Sequence, residues 1–202
     1  MSRRPITPRH EDRGSVISGR RLHRSDRRDQ LLAAATRAFA RNGFEATNLD
    51  DIAVEAGISK VLLYRHFDSK ADLYRAVLAR SMTHLATRVG EGEFTWESVE
   101  ALVRAAAEDP DGFRLLFHHA AREPEFRAEL DRLRAGSVAI ARRQLARQIR
   151  SRAWADWAAQ LAPTVAVDAV IAWLDAGQPD PEKAPERIGR VLGAIVEAAE
   201  RD

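Results

Sequence analysis

The sequence predicts an all-α fold, and three observations carry that prediction. Apolar residues recur at helical spacing along most of the chain after residue 24, and no segment shows the alternation of a half-buried strand. Helix start and stop signals, such as Asn42-Gly43 and the capping pair Ser69 and Asp72, separate these segments. The first amphipathic stripe consists of Leu31, Leu32, Ala35, Ala38 and Phe39. At 202 residues, the chain is long enough for one large or two small domains.

The composition narrows the functional class. Cysteine is absent, which excludes a disulfide framework, cysteine-ligated zinc, iron–sulfur ligation and thiol nucleophiles. No signal peptide is visible, and the most apolar stretch, Thr164–Leu174, is shorter than the ~20 residues that span a bilayer. We therefore expect a cytoplasmic protein without a membrane partner. The net charge is only +2, yet residues 20–75 hold eleven basic against eight acidic residues, which favours an anionic partner for this part.

The amino-terminal elements follow from local signals. Residues 1–24 are rich in Arg with scattered Pro and Gly and have no hydrophobic period, which predicts a disordered basic arm. A first helix is predicted over 25–42, with Ser25 or Asp26 as its cap and Asn42-Gly43 as its stop.

Capping signals predict three more helices before residue 90. Thr47 with Asp50 has the spacing of a capping box, Gly57 ends the helix that the box opens, and Ser59 opens the next. The capping pair at Ser69 opens the fourth. These helices are placed at about 47–56, at 59–67, and from residue 70 to the glycine-containing stretch 90–95.

The rest of the chain also has helical periodicity. Breaks are predicted at the sequences Asp109-Pro110-Asp111-Gly112 and Glu123-Pro124, at Pro163, and at the proline-rich stretch 177–181. They delimit helices at about 97–108, 112–121, 124–152, 154–161, 164–177 and 182–200. The predicted division is an arm at 1–24, a first domain at 25–78 and a larger helical domain at 79–202.

Residues 47–67 have the pattern of a helix-turn-helix. Ala53 is small where two helices must cross, Gly57 occupies the turn, and Leu63 and Phe67 return the second helix to the core. The opposite face of 59–67 is then exposed, and a helix of this width fits the DNA major groove. The candidate DNA-contacting residues are Thr47, Ser59, Lys60, Val61, Leu62, Tyr64, His66 and Lys70.

The segment 47–78, TxxxxIAxxAGISKxxLYRHFxSKxDLYxAVL, closely resembles the DNA-binding domain of TetR-family transcriptional regulators. The resemblance covers about residues 25–78. It implies a dimeric repressor that binds a palindromic double-stranded DNA operator and is released by a small-molecule effector in its carboxy-terminal domain. It also implies phosphate contacts at Thr47, Tyr64 and Lys70, with Lys60 and His66 near base edges or phosphates.

Two residues depart from the usual pattern of that family. The family commonly has Gly where this chain has Val61, and Thr or Ser where it has Leu62. A glycine lets the backbone approach DNA closely, and a hydroxyl can contact a phosphate. We interpret the two aliphatic residues as an altered sequence preference, with more apolar contact to thymine methyl groups.

The carboxy-terminal helices have two candidate roles. Helices 164–177 and 182–200 carry apolar stripes, and the resemblance implies that they form a four-helix bundle with a second copy; an intrachain core is the alternative. Aromatic and titratable residues before them suggest a pocket for a largely apolar effector, although a purely structural core fits the same pattern. The candidate ligand-binding residues are Trp96, Phe113, Phe117, His118, Arg122, Phe126, Trp157 and Trp173.

No catalytic constellation emerges from the sequence. It has no phosphate-cradling glycine loop, nucleophile elbow or HExxH helix, so we expect neither an enzyme nor a cofactor. His118 and His119 point about 100° apart on a helix and are poor co-ligands, so no metal site is predicted. Two other functions stay open: a DNA-binding regulator without an effector, and a ligand-binding protein whose helix-turn-helix is vestigial, for which Val61 and Leu62 are the only support.

Overall fold

The computed structural model describes residues 24–90 and 95–200, and within these ranges the chain is helical without strands. The predicted all-α fold is confirmed, while the predicted arm lies almost wholly outside the described residues. The helices are α1 (Arg24–Ala46), α2 (Leu49–Glu55), α3 (Lys60–Tyr64), α4 (Lys70–Val89), α5 (Trp96–Glu108), α6 (Pro110–Arg114), α7 (Arg127–Leu145), α8 (Arg152–Asp175) and α9 (Ala184–Glu200). A π-helical turn (Leu115–His119) and a 3₁₀ turn (Ala120–Arg122) connect α6 to α7.

Of the three helix starts predicted from capping signals between residues 47 and 70, two are confirmed. The Ser59 hydroxyl accepts the amide of Leu62 at 3.3 Å and caps α3. The Ser69 hydroxyl accepts the amide of Asp72 at 3.0 Å and caps α4. Regular helix in α3 ends at Tyr64, three residues earlier than predicted.

The capping box at Thr47 was wrong. The cap of α2 is Asn48, whose side-chain oxygen accepts the amide of Asp50 at 3.0 Å. Thr47 is buried, and its hydroxyl donates to the carbonyl of Gly43 at 2.6 Å. Gly43 interrupts α1 with a φ of 76°, so the carbonyl before the loop faces Thr47 instead of continuing the helix. Asn is also a better N-cap than Thr, a preference that the capping-box pattern concealed.

The predicted break at Pro163 was also wrong, because α8 runs without interruption from residue 152 to residue 175. A proline inside a helix removes one backbone hydrogen bond and crowds the preceding turn. The alanines around it, Ala159, Ala162 and Ala166, are buried, and α8 packs along both α7 and α9. This packing holds the helix together across the proline.

The predicted helix 112–121 is instead a composite of α6, the π turn and the 3₁₀ turn. Gly112 lies close to α4, since a Cβ at this position would lie 2.7 Å from the Ser81 hydroxyl and 2.2 Å from the Asp109 carboxylate. A side chain at this position would displace the side chains of Asp109 and Ser81. α6 and the π turn also pack on α1, so this irregular segment joins the first four helices to the rest.

One apolar core extends through most of the described chain, from Leu31 in α1 to Leu192 in α9. The predicted domain boundary at residue 78 falls inside α4, which begins in the first domain and continues against α5. A smaller cluster lies where the carboxy-terminal end of α7 meets α8 and α9, around Leu145 and Ile149. The first domain is therefore connected to the larger helical body through α4, which packs against helices of both.

Among the described residues, one helix is long and apolar enough by length and composition to cross a membrane, namely α8. Its mean hydropathy is 1.4 over the most apolar window. A core helix of a globular protein passes the same test, and α8 lies between α7 and α9 with five of its alanines buried, namely Ala155, Ala158, Ala159, Ala162 and Ala166.

Candidate functional site

The helix-turn-helix consists of α2, a tight turn and α3. Gly57 adopts a φ of 65°, and its amide donates to the carbonyl of Val54 at 3.0 Å. The next amide, that of Ile58, donates to the carbonyl of Ala53 at 3.0 Å and closes the turn. Ala53, Leu63 and Phe67, which were predicted to lie where the two helices meet the core, are buried, and so is Ile52. The turn and these four contacts orient α3.

The outer face of α3 is not covered by the rest of the described chain. Val61 is 72% exposed and Tyr64 is 47% exposed, although both have large apolar surfaces. Ser59 and Lys60 are exposed as well, whereas Leu62 and His66 are half-buried at the sides. An exposed helical face that combines aliphatic, phenol and ammonium groups suits a partner with both apolar and polar edges.

Lys60 is held in place by an acid from the preceding helix. Its ammonium lies 2.7 Å from one carboxylate oxygen of Asp50 and donates to the other at 2.9 Å. This hydrogen bond raises the pKa of Lys60 and so favours its charged form. Asp50 was predicted only as the acid of a capping box with Thr47, and its pairing with Lys60 was not predicted.

Lys70 fastens the loop between α1 and α2. Its ammonium donates to the carbonyls of Glu45 at 3.1 Å and Thr47 at 3.4 Å, and lies 4.5 Å from the centre of the Phe44 ring. Lys70 thus keeps its charge close to the amino terminus of α2. The Thr47 side chain, in contrast, is 4% exposed with its hydroxyl committed internally, so it is not placed to meet a phosphate.

Most of the other cations near the motif are already paired. Arg37 lies 2.7 Å from Glu55, and Arg41 forms a second ion pair with the same carboxylate. These pairs lower the pKa of Glu55, chiefly through the hydrogen bond from Arg41. Arg65 is exposed at the end of α3 and has no ion pair within the part of the chain that the structure describes. The surface is cationic, but only modestly so.

Residues 31–77 match the sequence model of the family described as bacterial regulatory proteins, tetR family. The chain carries an amino-terminal domain of the TetR family. This TetR-family domain contains the whole helix-turn-helix, and the match lies within the region, about 25–78, that the sequence resemblance identified.

Curated relatives extend the likeness beyond the TetR-family domain. The chain is 39% identical over 126 residues to the HTH-type transcriptional activator FasR of Mycolicibacterium smegmatis, a region covering 58% of each protein. It is 34% identical over 89 residues to the HTH-type transcriptional repressor SCO4008 of Streptomyces coelicolor, covering 44% of this chain and 46% of that protein. The matched regions span at most a little over half the length of these relatives. Both are named as transcriptional regulators, in agreement with the prediction that this chain is not an enzyme.

Solved structures share the fold over most of the chain. A TetR-like transcriptional regulator from Rhodococcus sp. RHA1 superposes with a TM-score of 0.70 at 21% identity, covering 88% of this chain and 97% of that one. The putative transcriptional regulator SCO4942 from Streptomyces coelicolor superposes with a TM-score of 0.58 at 28% identity, covering 86% and 96%. The helical body behind the TetR-family domain is therefore built as in these proteins.

A cavity of about 380 Å³ lies behind the TetR-family domain, between α4, α5, α7 and α8. Its wall is largely apolar, and the side chains that define its shape are Met82, Leu85, Leu102, Phe117, Ile140 and Val167. A second cavity of about 500 Å³ adjoins it, because Phe117, Leu133, Ser137, Pro163 and Val167 line both. Arg132 belongs to the wall of the first cavity and Arg134 to that of the second.

Of the eight predicted ligand-binding residues, the structure places only Phe117 in the wall of these cavities. Phe113 is buried behind it, with ring centres 4.7 Å apart. Trp173 is nearly buried and its indole N–H donates to the carbonyl of Pro179 at 2.9 Å. Trp96 lies against Gly189, and Trp157 is exposed beside Trp154. Aromatic residues at helical spacing were thus mostly packing residues, which sequence spacing does not distinguish from a ligand pocket.

His118, Arg122 and Phe126 also lie away from the cavities. The His118 ring is 5.3 Å from that of His119, at the junction with α1. Burial lowers the pKa of His119, and the charges of His118 and Arg122 lower it further. Among the described residues, no group of three or more His, Asp or Glu side chains is arranged to hold a metal ion.

Phe126 instead fills the aromatic cluster of the TetR-family domain. It is fully buried, with its ring centre 4.5 Å from that of Tyr74 and 5.2 Å from that of Phe44. Phe39 completes the cluster at 4.8 Å from Tyr74. Burial raises the pKa of Tyr74, whose hydroxyl has no hydrogen-bond partner within the described residues. A residue from just before α7 is therefore built into the core of the first domain.

Proposed function

We propose that this protein is a transcriptional regulator that binds a double-stranded DNA operator through α3, in the cytoplasm. The observation that carries the proposal is the uncovered face of α3 within a TetR-family domain, with Val61 72% exposed and Tyr64 47% exposed. Apolar side chains grouped on one uncovered and partly polar face are typical of an interaction surface. The major groove admits a helix and offers both thymine methyl groups and hydrogen-bonding base edges.

The proposed contacts divide into two groups. Lys60, Val61, Leu62, Tyr64 and His66 would meet base edges or nearby phosphates, because they lie on the exposed face or the sides of the motif. Phosphates would be met by groups at the helix starts, where free amides and the helix dipole favour anions. Those groups are Ser59, Lys70 and, in place of Thr47, the exposed cap Asn48.

Selection from a randomised duplex pool with the full chain tests this proposal. We expect enrichment of an inverted repeat whose half-sites are separated by about one helical turn or a multiple of it. The repeat is expected because two copies related by a two-fold axis present two α3 helices. Failure to enrich any sequence between about 50 and 200 mM salt would contradict DNA recognition.

We further propose that the protein is a homodimer through α8 and α9. These helices leave large apolar side chains uncovered, with Trp154 and Val191 each 50% exposed and Trp157 40% exposed. A closed two-fold dimer needs a self-complementary surface of this kind, and apolar residues at its centre contribute most to its stability.

A charge in this surface should separate the two copies. We expect Val191→Asp to convert the dimer to a monomer in sedimentation velocity at micromolar concentration, since a carboxylate buried in an apolar interface is strongly unfavourable. Thr87→Asp, on the exposed side of α4, should leave the dimer intact. A Val191→Asp variant that sediments as a dimer would exclude this part of α9 from the interface.

We propose that a largely apolar small molecule occupies the cavity between α4, α5, α7 and α8 and releases the protein from its operator. The largely apolar wall supports this ligand class, and the presence of the cavity favours a regulator with an effector over one without. We retain repression as the direction, because a dimer on an operator needs only to occlude it. The two curated relatives differ in this respect, one being named an activator and the other a repressor.

Filling the cavity tests ligand binding without a known effector. Gly136 is an exposed residue of the cavity wall, and a Cβ there meets no atom within 4 Å, so a larger side chain at this position is not obstructed by the fold. We expect Gly136→Trp to weaken binding of the amphiphilic dye 1-anilinonaphthalene-8-sulfonate, whose aromatic rings are apolar, at least about tenfold, which corresponds to ~1.4 kcal/mol. Gly136→Ala is the matched control and should bind as the wild type does. Equal dye binding by the tryptophan variant would place the ligand elsewhere.

A further inference from the structure

We infer that Asp50 determines how Lys60 is used in DNA recognition: it holds the Lys60 ammonium in one position and withholds it from indiscriminate contact with phosphates. The inference rests on the proposed function and adds a specificity-determining residue to it. Asp50 belongs to α2 and Lys60 to α3, so the pair bridges the two helices of the motif.

The geometry makes Asp50 a fixed point for Lys60. Both carboxylate oxygens lie within 2.9 Å of the ammonium, so the carboxylate is engaged on both sides. Asp50 itself sits in the first turn of α2, where its amide is held by Asn48 and the helix dipole favours its negative charge. The lysine chain would otherwise be free to sample many rotamers on an exposed surface.

Both side chains of the pair are about half exposed, Lys60 at 55% and Asp50 at 50%. Lys60 lies four residues before Tyr64 and so on the same side of α3, which places the pair beside the face where DNA would bind. A carboxylate at this place opposes the approach of any phosphate backbone, whereas the ammonium beside it attracts one. The pair has nearly zero net charge, so it adds little attraction for DNA of random sequence. The Lys60 ammonium can still donate a hydrogen bond to a base edge or phosphate that lies at the position where Asp50 holds it.

Binding to random sequence depends on charge alone, and binding to an operator depends also on placed contacts. Asp50 should therefore lower the affinity for random DNA more than that for the operator. Two other cations near the motif are paired with an acid in the same way, since Arg37 and Arg41 share Glu55. An acid engages each of these three cations.

Asp51 provides a matched control for Asp50. It is the next residue in the same first turn of α2 and is exposed, and its side chain makes no ion pair or hydrogen bond among the described residues. Asp50→Asn and Asp51→Asn remove the same charge from the same helix end, but only Asp50→Asn releases Lys60. The comparison therefore separates release of the lysine from a general change of charge.

The experiment measures the affinity of the full chain for a duplex of scrambled sequence as salt is raised. Releasing one lysine to the phosphates should steepen the slope of log affinity against log salt by about 0.9, an extra loss of roughly threefold between about 50 and 200 mM salt. We expect this for Asp50→Asn, together with a reduced preference for the selected operator. Asp51→Asn should have the wild-type slope. The double variant Asp50→Asn with Lys60→Met should also have the wild-type slope, because the released lysine is removed.

Equal slopes for Asp50→Asn and Asp51→Asn, or a steep slope that survives Lys60→Met, would overturn the inference. Either result can be obtained while the wild type still selects an operator, which leaves the proposed function intact. If the wild type prefers no sequence, the proposed function itself fails. The two failures are therefore distinguishable.

Discussion

Truncation of Phe126 to alanine is expected to lower the free energy of unfolding by about 3–5 kcal/mol, the usual cost of removing a buried phenyl ring. The ring is fully buried between Tyr74 and Phe44, two residues of the TetR-family domain. The cavity left behind would lie at the junction of α1, α4 and the segment before α7. Denaturant unfolding followed by circular dichroism measures the loss.

Phe117→Ala is the control for the loss of a phenyl ring. Phe117 is only partly buried and faces an existing cavity, so its removal leaves less new empty space and should cost clearly less. A Phe126→Ala loss below about 1 kcal/mol, or one no larger than that of Phe117→Ala, would contradict the packing described for this ring.

The same variant should also weaken the coupling between the two parts of the chain. Phe126 directly precedes α7, and α7 contributes Leu133, Gly136 and Ile140 to the cavity wall. A ligand in the cavity changes DNA binding only if it binds two conformations of the protein with different affinities and these conformations also differ at α3. Phe126 joins the start of α7 to the core on which α3 is mounted. In the folded variant, we expect the cavity dye to alter operator affinity less than in the wild type.

Tyr64→Ala is expected to weaken operator binding by ~1–3 kcal/mol while leaving the fold unchanged. Tyr64 lies on the uncovered face of α3 at 47% exposure, so its removal leaves no cavity in the core. Substitutions at such surface positions usually change stability by less than about 0.5 kcal/mol. Fluorescence anisotropy on the selected duplex measures the affinity, and thermal unfolding measures stability.

Tyr64→Phe divides the effect between ring and hydroxyl. A phenylalanine keeps the apolar surface and removes the group that could donate to a phosphate oxygen or base edge. We expect Tyr64→Phe to bind the operator more weakly than the wild type and more tightly than Tyr64→Ala. Wild-type affinity for the folded alanine variant would show that this face of α3 does not contact the operator.

The helix-turn-helix was predictable because its signals are local. Ser59 and Ser69 cap their helices through atoms three residues away, and Gly57 takes the left-handed conformation that its turn requires. The buried and exposed faces of α3 followed from the spacing of Leu63 and Phe67. Two details of the motif were predicted wrongly: the Thr47 hydroxyl is held by the carbonyl of Gly43, where α1 is interrupted, and α3 ends three residues earlier than predicted.

The larger domain was less predictable because its details depend on tertiary packing. Pro163 would end an isolated helix, yet α8 continues through it between two neighbouring helices. Phe126 resembles a pocket residue in the sequence but fills the core of the first domain. The cavity wall instead uses aliphatic and small residues such as Val167 and Gly136, whose spacing does not differ from that of a closed core.

The most direct test of specific DNA recognition is competition on the selected duplex. The intact chain is bound to its labelled operator, and about a hundredfold excess of unlabelled scrambled duplex is added. This excess is smaller than the affinity ratio of at least ~10³ by which specific regulators typically prefer their sites over other DNA. If α3 reads the operator, most of the labelled complex survives the competitor in the wild type, and much less of it survives in Tyr64→Ala. Unlabelled operator serves as the second competitor. If it and the scrambled duplex displace the labelled operator from the wild-type protein equally well, the chain binds DNA only through charge.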